Sequence, residues 1–294
     1  MKRRDLLRGA VLGGAALVFA PARGVVAAAD GNGAVDPSAI ERRHGGRLGL
    51  AVLDTGSGRR LVWRGGERFL MCSTFKWLAV AAVLARVDAG RERLDRRITF
   101  GRKAVLEWAP VTREHVGPPG MTVEALCEAA MVISDNTAAN LLLETLGGPA
   151  GMTAWVRATG DAVTRLDRHE PELNRPEGDK DTTTPRAMQE SLRRILLGDV
   201  LSPASRGRLL EWLRHNRTGA DSLRGGLPSG WRVGDKTGSG RTANNDVAIL
   251  WPPHGKPVLV AAYYDNAKLD ADARKLALAA AGRLVAAWHA GGRR

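Results

Sequence analysis

The sequence predicts an α/β protein of the α+β type, in which helices flank an antiparallel five-stranded sheet and an all-helical lobe is inserted. Two observations lead to this prediction. Strand-like apolar alternation is concentrated near both ends of the chain, whereas the middle repeats its apolar residues with helical periodicity. We therefore expect residues 30–65 and 218–294 to form one α/β lobe, and residues 66–217 to form the helical lobe. With 44% hydrophobic residues among 294, the chain can bury a substantial core.

The strands of the predicted sheet come from both ends of the chain. After a short helix at 37–44, two alternating runs flank the turn-forming segment 54–58, which predicts a β-hairpin. A long amphipathic helix from about 271 to 289 is expected near the other end. It follows three more predicted strands, WRVGDKTGS, NNDVAILW and PVLVAAYYD. Together these segments supply the five strands.

The middle of the chain is predicted to be helical, apart from one segment. Five stretches combine helical periodicity with a Ser, Thr or Pro near the start and often a Gly at the end: TFKWLAVAAVLARVDAG, TVEALCEAAMVI, NTAANLLLETLGG, TPRAMQESLRRILLG and PASRGRLLEWLRHN. In the segment 165–185, prolines and a dense mix of charges argue against regular structure. A long irregular loop inside a compact domain is usually functional, so we expect this loop to carry part of a site.

Residues 1–29 have the pattern of a secretory signal. A basic head containing Arg3 and Arg4, a short apolar run and a small-residue exit predict a twin-arginine-like signal peptide that is cleaved near Ala28 or Ala29. An uncleaved membrane anchor is the alternative. The apolar run is too short to span a bilayer, and no other segment is long and apolar enough. We therefore expect a periplasmic or secreted protein without stable membrane association after cleavage.

Charge and residue pattern argue against two classes of partner. The net charge is +13, but the arginines are scattered and interleaved with acids, so we expect no nucleic-acid partner. The six histidines never fall at metal-ligand spacing, so we expect neither a metal nor another cofactor.

Cys72 and Cys127 could form one disulfide in an oxidising compartment, but we expect two buried free thiols.

A serine followed three residues later by a lysine opens the helix predicted from residue 74. Ser73 lies at its first turn, where the helix dipole and free amides favour a developing negative charge, and Lys76 lies on the same face. Burial lowers the pKa of such an ammonium and nearby carboxylates raise it, which leaves its charge open. Neutral Lys76 can take the serine proton, and charged Lys76 can stabilise an alkoxide. The alternative is a capping serine followed by a surface lysine.

Two further motifs occur far along the chain: SDN at 134–136 before a predicted helix, and KTGSG at 236–240 at the end of a predicted strand. Each alone is explained by helix capping or by a turn. In this order, with Ser-x-x-Lys, they are the signature of serine β-lactamases and penicillin-binding transpeptidases. The chain resembles these proteins over about residues 36–290. EPELN at 170–174 resembles the glutamate loop of class A β-lactamases, which peptidoglycan transpeptidases lack.

The resemblance to class A β-lactamases implies four catalytic residues: Ser73, Lys76, Ser134 and Glu170. Ser73 would attack the β-lactam carbonyl and form an acyl-enzyme. Ser134 would relay a proton to the leaving nitrogen, helped by Lys76 and Lys236. Glu170 would activate the water that hydrolyses the ester. Whether Lys76 or Glu170 is the base in acylation stays open.

The same resemblance implies the groups that bind substrate and support the site. The backbone amides of Ser73 and Ser239 would form the oxyanion hole. Arg168 and Asp181 would form an ion pair across the neck of the loop, and the peptide bond before Pro171 would be cis. Asn136 would bind the substrate's side-chain amide, Asn174 the hydrolytic water, and the KTGSG segment the carboxylate. The implied substrate-binding residues are Asn136, Asn174, Lys236, Thr237, Ser239 and the gatekeeping aromatic Trp108.

The sequence departs from the family pattern at the position that often carries a carboxylate-supporting arginine. That position is Asn244 here, and Arg241, Arg274 or Lys275 are candidate substitutes. Cys72 does not lie at either disulfide position associated with the family, and neither does Cys127, which favours free thiols.

Three functional hypotheses follow; small-molecule β-lactams are the expected substrates and a monomer is the expected state. The first is a hydrolase that opens β-lactams by acylation and rapid deacylation. The second is a penicillin-recognising receptor that stays acylated, and the third is a peptidoglycan D,D-peptidase. Glu170 favours the hydrolase, because a receptor needs no deacylating base and normally carries a transmembrane signalling segment.

Overall fold

A computed structural model describes residues 35–292 of the chain. The predicted signal peptide, its twin arginines and its cleavage site lie outside the described residues. The helices are α1 Ser38–His44, α2 Phe75–Asp88, α3 Val123–Val132, α4 Asn136–Leu146, α5 Gly148–Ala158, α6 Pro185–Leu197, α7 Pro203–Arg214 and α8 Ala271–Gly291. The strands are β1 Arg47–Asp54, β2 Arg60–Trp63, β3 Phe69–Leu70, β4 Arg97–Ile98, β5 Met121–Thr122, β6 Thr182–Thr183, β7 Arg232–Ser239, β8 Ala243–Trp251 and β9 Val258–Asp265.

The five long strands form one antiparallel sheet in the order β2-β1-β9-β8-β7. Strand β9 joins the hairpin from one end of the chain to the strands from the other, with Ala51 opposite Ala261. Strand β7 lies at one edge of the sheet and β2 at the other, and Lys236 is opposite Val247 of β8. The prediction of a five-stranded antiparallel sheet flanked by helices is confirmed.

Both faces of the sheet are covered, because alternate residues of its central strands enter two different hydrophobic clusters. On β9, Val258 and Val260 pack with the apolar side of α8, while Leu259 and Ala261 pack with the helical middle of the chain. This period of two is the normal consequence of strand geometry. It explains why β9 is almost completely buried and reads as a continuous apolar run.

Helix α2 runs through the helical middle of the chain and is surrounded by α3, α4, α5 and α7. Every residue from 75 to 84 is buried, including Lys76. A helix that is apolar on all sides is a core helix, so one lysine within it requires specific polar partners. Those partners come from the segments that carry the other motifs.

Two local predictions are corrected by the structure. Helix α5 was not predicted, because its start, Gly147 to Pro149, resembles a loop; the left-handed Gly147 ends α4, and Pro149 occupies the first turn of α5. The segment 165–185, which was expected to lack regular structure, contains a short 3₁₀ turn at Glu172–Asn174 and the two-residue strand β6.

None of the helices within residues 35–292 combines the length and the apolarity that a bilayer-spanning segment requires. Cys72 and Cys127 are both buried free thiols, as the sequence predicted. The division into lobes, 30–65 with 218–294 and 66–217, stays a prediction.

Candidate active site

Ser73 lies in a 3₁₀ turn, Cys72–Thr74, that leads directly into α2. The sequence placed Ser73 in the first turn of the α-helix, but the α-helical hydrogen bonds begin at Phe75. Cys72 has a φ of 45°, a left-handed conformation that costs a non-glycine residue about 1–3 kcal/mol. Between its buried neighbours Cys72 and Thr74, Ser73 is partly exposed. The turn therefore presents the hydroxyl at the start of a helix whose residues 75–84 are all buried.

Lys76 is fully buried one turn after Ser73, and its ammonium is surrounded by oxygen atoms. Nζ donates to Asn136 Oδ1 at 2.6 Å, to the Ser134 carbonyl at 2.8 Å and to Ser134 Oγ at 3.2 Å. Glu170 Oε1 lies 3.3 Å from the same Nζ. Burial lowers the pKa of Lys76, and the negative charge of Glu170 opposes that shift. Lys76 thus has the hydrogen-bond acceptors and the counter-ion that a lysine buried in a core helix needs.

Lys236 on β7 approaches Ser134 from the opposite side. Its Nζ donates to Ser134 Oγ at 3.1 Å and to the Thr237 carbonyl at 2.9 Å. Burial is the main cause and repulsion from Lys76 the second cause that lower the pKa of Lys236 to about 7. Ser134 Oγ therefore accepts hydrogen bonds from two lysines, which leaves its own proton free to be donated elsewhere.

The segment before α4 holds Ser134 between those lysines. Ser134 has a φ of 61°, and Asp135 caps α4 by accepting from Ala138 N at 2.9 Å. The Asp135 carboxylate also accepts from the Thr112 hydroxyl at 2.9 Å. This buried aspartate fixes the turn, so the residues on either side of it, Ser134 and Asn136, are positioned together.

Glu170 reaches Ser73 from the irregular loop. Its Oε1 accepts from Ser73 Oγ at 3.1 Å, and its Oε2 accepts from Asn174 Nδ2 at 2.6 Å. Only 2% of Glu170 is exposed, and its peptide bond to Pro171 is cis, as the resemblance implied. Asn140 of α4 holds the Glu170 backbone from both sides, accepting from N at 3.0 Å and donating to O at 2.9 Å.

The neck of this loop is closed by Arg168 and Asp181. Arg168 Nε donates to Asp181 Oδ2 at 2.6 Å, and Asp181 Oδ1 accepts from the backbone amides of Asp167 at 2.7 Å and Arg168 at 2.9 Å. Asp181 is fully buried and has a φ of 57°. A buried carboxylate with several donors is a strong positional constraint, so both ends of the loop are fixed.

Lys236, Thr237 and Ser239 lie along the last part of β7; we call these three residues the anion shelf. A Cβ built on Gly238 would lie 2.6 Å from the Met71 carbonyl oxygen, so glycine is required for β7 to lie against the Ser73 turn. That close approach brings the edge strand beside Ser73. The shelf therefore borders Ser73 with one ammonium and two hydroxyl groups.

The three candidate substitutes for the carboxylate-supporting arginine have different surroundings. Arg274 is buried and donates through Nε to Asn244 Oδ1 at 2.7 Å, and Asn244 Nδ2 is 3.4 Å from Ser239 Oγ. Lys275 is paired with the exposed Asp272 at 2.8 Å, and Arg241 is exposed. Arg274 is thus the candidate that is connected to the anion shelf by hydrogen bonds.

Trp108 stands at the edge of the site with 54% of its surface exposed. Its indole Nε1 donates to the Ile133 carbonyl at 3.2 Å, and its own carbonyl accepts from Asn136 N at 2.9 Å. An exposed large aromatic ring beside a polar site is suited to contact with a ligand.

The structure brings the predicted site residues into one connected arrangement, and it adds others that the sequence analysis missed. Asn140 follows Asn136 by four residues on α4, a spacing that places both on one face of the helix and was available in the sequence. Thr218 contacts Thr237 of the shelf from a distant turn, and Asn216 is bonded to Thr218 and to Asp235 of β7; neither had a comparable signal. Within residues 35–292, no three His, Cys, Asp or Glu side chains are grouped so that they could hold a metal ion.

Comparisons with known proteins agree with this geometry. The family model described as "Beta-lactamase enzyme family" matches residues 36–288. Beta-lactamase L2 of Stenotrophomonas maltophilia is 48% identical over 86% of this chain and 84% of its own, and beta-lactamase OXY-2 of Klebsiella oxytoca is 45% identical over 84% and 86%. The solved structure of an ancestral (GNCA) class A beta-lactamase has a TM-score of 0.82, with 60% identity over 84% of this chain and 96% of that one.

The chain therefore belongs to the beta-lactamase enzyme family. Within that family it is a class A β-lactamase, a hydrolase whose activity gives resistance to β-lactam antibiotics.

Proposed function

We propose that the enzyme opens the β-lactam ring by attack of Ser73 Oγ on the lactam carbonyl and then hydrolyses the resulting ester. The observation that carries this proposal is the direct contact between the Ser73 hydroxyl and Glu170 Oε1 at 3.1 Å, beside the buried Lys76 ammonium. In the free enzyme the serine proton is directed at a carboxylate that can accept it. A base in hydrogen-bond contact with a nucleophile is the arrangement that activates a serine.

The surrounding groups favour the charge changes of ring opening. The partial positive charge at the start of α2 and the backbone amides of Ser73 and Ser239 are suited to stabilise the oxyanion. Because Ser134 Oγ accepts from Lys76 and Lys236, its proton is free to pass to the leaving lactam nitrogen. Lys76, which contacts both Glu170 and Ser134, gives a proton to Ser134 and takes the former Ser73 proton from Glu170. The step then balances: the C–N bond breaks, the nitrogen gains a proton, the carbonyl carbon becomes esterified to Ser73, and Glu170 is again a carboxylate.

Deacylation is assigned to the same carboxylate. Once Ser73 is esterified it has no hydroxyl proton to donate, so Glu170 Oε1 can accept from a water molecule instead. Asn174 fixes the other oxygen of Glu170, and Asn140 fixes its backbone. A general base must be held within hydrogen-bond reach of its water, and these contacts provide that restraint.

Substrate binding is assigned to the anion shelf, Asn136 and Trp108. The carboxylate of a penicillin or cephalosporin would lie against Lys236, Thr237 and Ser239, with the Asn136 amide reaching the side-chain amide of the substrate. We further propose a monomer that is exported by the signal in residues 1–29 to the periplasm or the medium. Replacement of both Arg3 and Arg4 by lysine should retain the protein inside the cell, and unchanged export would contradict the twin-arginine assignment.

The deciding experiment uses Glu170→Gln, with Glu172→Gln as the matched control on an exposed position of the same loop. With a chromogenic cephalosporin, the unaltered enzyme and the control should turn over many times. In Glu170→Gln, Lys76 remains to take the Ser73 proton, so acylation should continue. Deacylation should slow by at least about a thousandfold, and a covalent adduct on Ser73 should accumulate that mass spectrometry detects. A single stoichiometric burst from the unaltered enzyme would favour a receptor, and absence of an adduct from Glu170→Gln would contradict the assigned roles.

A further inference from the structure

The anion shelf has a hydrogen-bond partner outside the sequence motifs. Thr237 Oγ1 is in hydrogen-bond contact with Thr218 Oγ1, which lies on the turn that follows α7. Thr218 is also bonded to the side chain of Asn216, and Asn216 is bonded to Asp235 of β7. A chain of hydrogen bonds therefore connects a buried carboxylate to a hydroxyl of the shelf.

The direction of each hydrogen bond in this chain is fixed by Asn216. Its Nδ2 donates to Asp235 Oδ2 at 2.9 Å, and its Oδ1 accepts from the Thr218 backbone amide at 3.1 Å. A backbone N–H can only donate and a carboxylate accepts, so the two ends of the Asn216 amide cannot be exchanged. Only 7% of Asn216 is exposed and Asp235 is fully buried.

The hydroxyl protons follow from that orientation. Thr218 Oγ1 donates to Asn216 Oδ1 at 2.8 Å. A hydroxyl has one proton, so Thr218 can meet Thr237 only as an acceptor. Thr237 must then give its own proton to Thr218. In the free enzyme, the Thr237 proton points toward the turn, away from the place where the substrate anion would bind.

Ser239 is oriented in the opposite sense. Asn244 Oδ1 accepts from Arg274 Nε at 2.7 Å, so Asn244 presents its Nδ2 to Ser239 Oγ, at 3.4 Å. Ser239 is the acceptor in this long contact, and its proton stays available to a ligand. The two hydroxyls of the shelf are therefore unequal: Ser239 is ready to donate, and Thr237 is not.

The turn that carries Thr218 packs closely against β7, which keeps Thr218 in contact with Thr237. A Cβ built on Gly219 would lie 1.7 Å from Asp235 Oδ2 and 3.2 Å from Asn216 Nδ2. Glycine is therefore required for the backbone beside Thr218 to lie against Asp235. The absence of a side chain at 219 lets the turn approach β7 closely enough for Thr218 to reach Thr237.

We propose that Thr218 is a specificity-determining residue that withholds the Thr237 proton from the anionic group of the substrate. A β-lactam carboxylate would have to compete with Thr218 for that proton. This inference rests on the proposed function, because it takes the shelf as the carboxylate site. It assigns to Thr218 a weakening effect on substrate binding, which a merely structural residue would not have.

The test replaces Thr218 by valine, which has nearly the same shape but cannot accept a hydrogen bond. Thr218→Val should release the Thr237 proton to the substrate, lower KM and raise kcat/KM for a carboxylate-bearing cephalosporin by roughly fivefold, with kcat changed little. Thr218→Ser keeps an acceptor hydroxyl and should return both parameters toward those of the unaltered enzyme. In a Thr237→Val background, Thr218→Val should have no further effect on KM.

An unchanged or higher KM in Thr218→Val, or the same decrease in the Thr237→Val background, would overturn the proposal. Misfolding lowers activity and cannot imitate the expected gain. Failure of the proposed function is recognised separately, because it would appear as loss of the Ser73 adduct in Glu170→Gln, whatever the KM of the Thr218 variants.

Discussion

Lys76 and Lys236 are both fully buried and both donate to Ser134 Oγ, yet their surroundings differ. Lys76, on the helical side, has the Glu170 carboxylate 3.3 Å away. For Lys236, on the strand side, no carboxylate oxygen of the described residues lies within 4.0 Å of Nζ. A buried ammonium without an adjacent counter-ion gains the most from an incoming anion. This difference supports the proposed roles, with proton handling on the helical side and anion recognition on the strand side.

Loss of the lysine that has a carboxylate partner should have the largest effect. Lys76→Met removes a donor to Ser134 and Asn136 and leaves Glu170 as an uncompensated buried charge, which costs about 3–5 kcal/mol of stability. We expect kcat/KM to fall by about a thousandfold and the melting temperature to fall as well. Steady-state kinetics and thermal unfolding measure both, with Lys103→Met at an exposed position as the control. Activity above a tenth of the original would contradict the role of Lys76.

The lysine without an adjacent counter-ion should set a pH dependence. Because the pKa of Lys236 is lowered to about 7, the charged form predominates below that pH and the neutral amine above it. Anion binding needs the charge, so kcat/KM should fall as pH rises through 7, approaching tenfold per pH unit well above the pKa. Lys236→Arg should abolish this fall, since a guanidinium stays charged. If kcat/KM of the unaltered enzyme stayed constant up to pH 9, anion binding would not depend on the charge of Lys236.

A smaller effect is expected where α4 holds the loop. Asn140→Ala removes two hydrogen bonds to the Glu170 backbone, so deacylation should slow by roughly thirtyfold, at about 1 kcal/mol for each bond. The matched control is Glu144→Gln on the same helix, which weakens an exposed contact to His169 of the loop and should change the rate less than about twofold. Pre-steady-state bursts resolve the deacylation rate. Equal effects of the two substitutions would show that loop position does not depend on the buried contacts.

The sequence indicated much of the fold because the apolar periodicity was strong. The apolar runs of β1 and β2 flank a turn-forming segment, α2 is apolar on all sides, and α3 and α6 each begin at a capping threonine. Helix α5 was missed because a Gly-Gly-Pro start has low helix propensity, and packing against α2 and α4 overcame it. Local propensity is a weak guide where tertiary contacts supply the stability.

The residues of the candidate site also form two groups: those that sequence motifs indicated and those that only the structure showed. Ser73, Lys76 and Glu170 were found in short motifs whose residue types suit the chemistry. Asn216 and Thr218 contact the site through a turn whose letters, NRTG, resemble any other loop. Their role depends on which end of an amide faces which partner, and no spacing in the sequence contains that information.

The sequence by itself determined the order and period of the apolar residues, and thereby the strands at the ends, the helices between them and the motifs each element carries. Only the tertiary structure decided the distances between those motifs, the burial of Lys76 and Lys236 and the orientation of the hydroxyl protons on the shelf. The physical reason is that periodicity and capping act between residues close in sequence. Burial and hydrogen-bond direction depend on groups that folding brings together from distant parts of the chain.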